Sequence, residues 1–201
     1  MAYGTDGSFG LRPYMLSGGG TNWAINEYPL ASGYATAIYT NDPVISLADG
    51  TVGIGVAGSP IRGIFQGCKY TTTDGTFTHS AYWPASTTVR TGTVPIALII
   101  DNPNLIVDVQ EAETAGVAGT ALALADRNLN ANFTITAGST VTGLSATFMA
   151  NNTEATTATL NLKILRLTPT PGTNETVGNF RNWLCSINAH ELKGGTGTAG
   201  L

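Results

Sequence analysis

At 201 residues and a net charge of −4, the chain is long enough for one domain with a substantial core, with or without extended arms. Its nine Lys and Arg are scattered, which argues against nucleic-acid binding, and no run of about eighteen apolar residues is present to span a membrane. Charged residues make up only 11%, against roughly 25% in an average soluble protein, while Thr is the commonest residue and Gly follows with 25 copies.

That mixture favours strands and tight turns over long helices. A surface poor in charge and rich in Thr is expected to face other protein. The opening Met1-Ala2-Tyr3-Gly4-Thr5-Asp6 lacks the basic and apolar regions of a secretion signal, so folding in a cytoplasm is expected. Two cysteines, Cys68 and Cys185, are then expected as buried free thiols. The Asn-x-Thr sequons at Asn132, Asn151 and Asn174 read as chance in so Thr-rich a chain.

Residues 1–27 read as an extended N-terminal arm. Gly4, Gly7, Gly10 and Gly18-Gly19-Gly20 break regular structure, yet Phe9, Leu11, Pro13, Tyr14, Met15, Leu16 and Trp23 are too apolar for a disordered tail. Such a segment docks either on a neighbour or back on its own core. Residues 28–192 read as a β-rich body. Strands are expected over 34–39, 44–47, 51–56 and 61–70, with turns at Asn41-Asp42-Pro43, Asp49-Gly50 and 71–75. Strands about ten residues apart suggest a sandwich or barrel. Tyr82-Trp83-Pro84 reads as a loop with aromatic anchors. Residues 94–101 and 104–110 read as a hairpin around Asp101-Asn102-Pro103-Asn104; Ile96-Ala97-Leu98-Ile99-Ile100 is apolar on both faces and so expects cover on both.

Residues 116–130 hold the one helical candidate, a turn or two long. Strands follow at 132–136 and 141–150. The last two are the clearest. In Leu160-Asn161-Leu162-Lys163-Ile164-Leu165-Arg166-Leu167 the residues Leu160, Leu162 and Ile164 share a face; in the second run Trp183, Cys185, Ile187 and Ala189 do the same. Joined through Pro169, Pro171 and Gly172, these two read as antiparallel neighbours. Residues 193–201 read as a flexible C-terminal tail. The fold class expected is all-β: a β-sandwich, jelly-roll-like or β-barrel body of short antiparallel strands with at most one short helix.

Little in the chain points to chemistry. Gly53-Ile54-Gly55-Val56-Ala57-Gly58 matches the dinucleotide pattern, but Ser59-Pro60-Ile61 follows where a helix should open, so these glycines are expected to serve turns and close packing. His190-Glu191 lacks the second histidine of a helical zinc site, and His190 is expected as a structural hydrogen-bonder. Asp108, Glu111 and Glu113 lack calcium-loop spacing and read as a solvated strand edge. No nucleophile elbow, phosphate loop or cysteine–metal spacing occurs. No enzymatic activity, catalytic residue, cofactor or metal is expected.

Several stretches nonetheless fall in the order of a known pattern. They are Phe9-Gly10-Leu11-Arg12-Pro13 with Gly18-Gly19-Gly20, Asp42-Pro43-Val44, Gly63-Ile64-Phe65-Gln66-Gly67-Cys68-Lys69-Tyr70, and Val107-Asp108-Val109-Gln110-Glu111. Gly138-Ser139-Thr140, Leu160-Asn161-Leu162-Lys163-Ile164-Leu165-Arg166 and residues 183–192 complete the series. Over nearly the whole chain this resembles the capsid cement (decoration) proteins of tailed phages, encoded beside the major capsid protein. The resemblance implies a virion protein on the outer face of the shell, with the major capsid protein and its own copies (a trimer or dimer) as partners and no catalytic residues. On that reading Phe9, Leu11, Arg12, Pro13, Tyr14 and Trp23 are the expected contacts, and removal of residues 1–24 is expected to abolish capsid binding while leaving a folded body. A tail or fibre component, and a carbohydrate-binding sandwich with Tyr82, Trp83 and Trp23 as platforms, are the alternatives.

Overall fold

Runs apolar on one face and runs apolar on both become strands alike, and the way they are covered sets the architecture. In the computed structural model, which describes residues 4–169 and 176–201, the chain is all-β. In order the strands are β1 (Arg12–Leu16), β2 (Asn26–Pro29), β3 (Ile38–Tyr39), β4 (Pro43–Ser46), β5 (Val52–Ile54), β6 (Gly63–Thr71), β7 (Phe77–Ser80), β8 (Tyr82–Trp83), β9 (Ile96–Ile100), β10 (Leu105–Ala112), β11 (Asn130–Ala131), β12 (Phe133–Thr134), β13 (Phe148–Ala150), β14 (Leu162–Leu167) and β15 (Asn182–Ile187). The first sheet runs β11-β14-β15-β10-β13-β12, with β1 also on β10. The second runs β2-β9-β6-β4-β5, with β7 on β6, and β3 pairs with β8. All of these pairs are antiparallel except β10–β13.

The second sheet is covered on both faces. Its Ile64 and Ile100 join Val107, Val109, Ile164, Trp183 and Cys185 of the first sheet in one core. Its Phe65, Cys68, Ala97 and Ile99 point the other way and join Ile38, Trp83 and Val89 in a second core. This is why β9 is apolar on both faces. At roughly 25 cal/mol per Å2 of apolar area, two such cores supply the main drive for a chain with few ion pairs.

Several expectations need correction. Residues 94–101 and 104–110 are not a hairpin: β9 pairs with β2 and β6, whereas β10 pairs with β1, β13 and β15. Each strand is flanked on both edges, so each sits inside its own sheet. The Asp101 turn is tied to β2 by Tyr28 Oη and Asn26 Nδ2 and carries the chain between sheets. Nor do Asp108 and Glu111 lie on a solvated edge, since every residue of β10 is buried; Glu113 follows the strand and is half-buried. Asp108 and Glu111 leave opposite faces of that strand and cannot act together. The strand expected from Leu160 begins at Leu162, and the one expected over 141–150 begins at Phe148. The helical stretch holds one 3-10 turn, Leu124–Asp126; a second, Glu191–Lys193, was not anticipated. Pro171, Gly172 and Asn174 lie outside the described residues.

Both termini belong to the body. Gly10 N donates to Thr147 O at 3.0 Å, Leu11 N donates to Asn41 O at 2.8 Å, and β1 then adds to β10. Removal of residues 1–24 would strip a strand and a core leucine, so it is not expected to leave the body intact. The last residues, expected to be loose, are bonded too: Asn188 Oδ1 accepts from Thr198 N at 2.9 Å and Asn130 Nδ2 donates to Thr198 O at 2.7 Å. Among the described residues no helix is long and apolar enough to cross a membrane.

Candidate functional site

Residues paired across adjacent strands share a face of the sheet. Two rows on the outward face of the first sheet follow from the register. One runs Arg12, Asp108, Leu184, Arg166; the next runs Ile106, Ser186, Lys163. Lys193, from the turn after β15, reaches back over the same face and lines a cavity with Lys163 and Ser186. Four of the nine basic residues thus lie on one side of the first sheet, Arg12 and Arg166 separated by two strands and Lys163 and Lys193 sharing a cavity, in a chain of net charge −4.

The carboxylate in these rows is Asp108, and it is already committed. It is wholly buried, pairs with Arg12 and accepts from Thr168 Oγ1 at 2.5 Å. Arg12 stays 53% exposed at its side chain, its guanidinium 4.5 Å from the centre of the Phe9 ring. Arg166 is exposed and Lys163 half-buried. Among the described residues no carboxylate lies within ion-pairing distance of Arg166, Lys163 or Lys193. The middle of the first row, Asp108 and Leu184, is buried, so the accessible charge stands around it in Arg12, Arg166, Lys163 and Lys193, which suits an acidic protein surface better than an apolar one.

The six residues expected as contacts divide. Leu11 is 0% exposed in the first core and makes no outward contact; Trp23 packs against the same core. Phe9 and Arg12 lie on the outward face, and Pro13 and Tyr14 are half-buried on β1. Lys163, Arg166 and Lys193 were not anticipated as contacts. Strict alternation would put Arg166 on the core face with Leu162 and Ile164. A bulge between Ile164 and Arg166 turns it outward and sends Leu167 inward instead, opposite Trp183.

Other candidates resolve into structure. Trp83 is 0% exposed, with Nε1 donating to Tyr34 O at 3.3 Å, and offers no stacking platform. Tyr39 and Tyr82 stack on each other, ring centres 5.4 Å apart. Gly53 and Gly55 press against Tyr34 Oη and Pro43 O, so neither admits a side chain. His190 Nδ1 accepts from Leu192 N at 3.0 Å and caps the last 3-10 turn; burial pushes its pKa down to about 4. Cys68 and Cys185 are free and buried, and burial raises both thiols, Cys68 to about 12. Among the described residues no group of three His, Cys, Asp or Glu could hold a metal ion.

Comparison with family models, with curated proteins and with solved structures gave no match.

Proposed function

We propose that the chain is a non-enzymatic virion structural protein that acts by binding a larger protein assembly. More specifically, it is a capsid cement protein of a tailed phage: it binds the outer surface of the expanded head and stabilises contacts between major capsid protein subunits. The observation that carries this reading is the outward sheet face with Arg12, Lys163, Arg166 and Lys193, where the one row carboxylate is consumed by Arg12. The ordered resemblance of the sequence adds the identity of the partner. Cement binds the assembled lattice in preference to the free subunit, so it stabilises the shell by mass action. A dimer or trimer at a local symmetry axis would present several such faces at once.

The test is co-sedimentation with expanded heads and with unexpanded proheads of the phage that encodes the chain. Saturable binding to expanded heads alone is expected, falling steeply from about 50 to about 500 mM NaCl. Arg166→Glu should weaken it at least about tenfold while Arg90→Glu, on an exposed loop elsewhere, leaves it unchanged. Failure to bind either particle, or binding indifferent to Arg166→Glu, would refute the reading; recovery with tails would move it to a tail component.

A further inference from the structure

Between β14, β15 and the C-terminal segment lies a cavity of about 260 Å3 lined by Lys163, Ser186, Ile187, Lys193, Thr196 and Gly197 among others. Two lysine side chains line it, and among the described residues neither ammonium has a counterion. Lys163 Nζ donates to Thr198 Oγ1 at 3.1 Å and to Ala199 O at 3.0 Å; Lys193 Nζ donates to Ile187 O at 3.3 Å. Each ammonium carries three donors, so together they keep three in reserve. Burial pushes the Lys193 pKa down.

The remaining lining is of the same character. Among the described residues the Ser186 and Thr196 hydroxyls have no protein partner, and the Thr196 and Gly197 amides donate to no other residue. The wall that carries them is held in place. Asn188 Nδ2 donates to Ala158 O and Leu160 O at 3.0 and 2.9 Å while its Oδ1 accepts from Thr198 N and Oγ1 at 2.9 and 3.2 Å. Gly197 fits so closely on this clasp that a Cβ would lie 2.2 Å from Asn188 Nδ2. Donors are therefore positioned before any ligand arrives, and little ordering cost is left for binding.

We infer that this cavity is a binding site for a phosphate-class oxyanion, seated between Lys163 and Lys193 and bonded by the Ser186 and Thr196 hydroxyls. A dianion would neutralise both ammonium groups, and its several oxygens match a set of donors that contains no carboxylate. The cavity shares Lys163 and Lys193 with the face proposed to meet the shell, but it takes a small anion, and its occupancy can be measured on the isolated chain without any shell.

The probe is inorganic phosphate, titrated into the full chain near neutral pH and low ionic strength by calorimetry, with glycerol phosphate and acetate as parallel arms. One saturable phosphate site per chain is expected. Lys163→Met and Lys193→Met should each weaken it at least about tenfold, whereas Lys69→Met, whose ammonium pairs with Glu27 on the other sheet, should not. Backbone amide shifts of Thr196 and Gly197 in the unmodified chain report the same event without relying on a variant that folds. Glycerol phosphate binding as well as phosphate identifies a phosphate ester as an acceptable source; phosphate alone identifies the free anion. Absence of a saturable site, acetate binding as tightly as phosphate, or amide shifts confined to other residues would overturn the inference.

Discussion

Asp42 sits at the turn between β3 and β4, almost wholly buried, and accepts from Tyr39 N at 2.8 Å, Ser145 Oγ at 2.5 Å and Thr147 Oγ1 at 2.8 Å. The carboxylate thus fastens a local turn to a loop a hundred residues away. Burial raises its pKa, and the three hydrogen bonds hold part of that rise back. The donors differ in kind: the amide can only donate, but each hydroxyl can turn round and accept. Asp42→Asn can therefore keep its oxygen on Tyr39 N and point its amide nitrogen at the hydroxyls. Asp42→Ala strands all three partners. The expected losses in urea denaturation are below about 1.5 kcal/mol for Asn and about 3 kcal/mol for Ala. Equal losses would mean that the charge, and not the acceptor geometry, holds the turn. In the sequence Asn41-Asp42-Pro43 showed only a turn; the distant hydroxyls that make it a fastening carry no local signal.

At the scale of elements, β1 decides where the body ends. Leu11 fills the first core, and Gly10 has a φ of +81°, with the position of a Cβ only 2.6 Å from Asn41 O and 2.8 Å from Ser145 Cβ. Leu11→Ala should cost about 3 kcal/mol, and Gly10→Ala should release the segment to proteolysis by strain and clash together. A Leu11→Ala midpoint within error of the parent protein would restore the reading of residues 1–27 as a separate arm. The sequence offered both readings because an apolar, glycine-rich segment fits a neighbour's groove or its own. Half-buried strands were legible where alternation was regular: in β15, Trp183, Cys185 and Ile187 all face the core as their spacing requires. Strands in the sheet interiors were not: β9 has no polar face to orient it and β10 carries polar residues on both, Asp108 and Gln110 on one and Glu111 on the other, so proximity in sequence suggested a hairpin that burial in two sheets overrules. The candidate site was hidden for a related reason. Its cations come from three segments far apart in sequence, and the bulge that exposes Arg166 breaks the periodicity used to assign faces.

For the whole molecule, two buried groups with opposite charge requirements pull the response to pH in opposite directions, alongside the raised Asp42. Glu111 faces the first core from β10; its Oε2 accepts from Leu122 N at 2.9 Å while Oε1 has no close partner, and burial raises its pKa from 4.5 to about 7. Its protonated form is the one the fold favours, so its contribution is complete below pH 4.5 and is lost as pH rises through 7. His190 behaves in reverse. Burial lowers it from 6.5 to about 4, so its contribution is complete above pH 6.5 and is lost as pH falls through 4. Each shift corresponds to about 3 kcal/mol at roughly 1.36 kcal/mol per tenfold. Because the two windows overlap, the contributions of these two groups nearly offset between pH 4.5 and 6.5. Removing one group uncovers the other. Glu111→Gln, which keeps the acceptor for Leu122 N, should make stability rise by about 2 kcal/mol from pH 4.5 to 6.5; His190→Asn, which keeps an acceptor for Leu192 N, should make it fall by a similar amount. The double variant should return to the parent's profile. Urea midpoints at three pH values decide it: parallel profiles for all four proteins would mean that neither group is shifted, whereas crossing profiles follow only if both are held in the protonation state the core prefers.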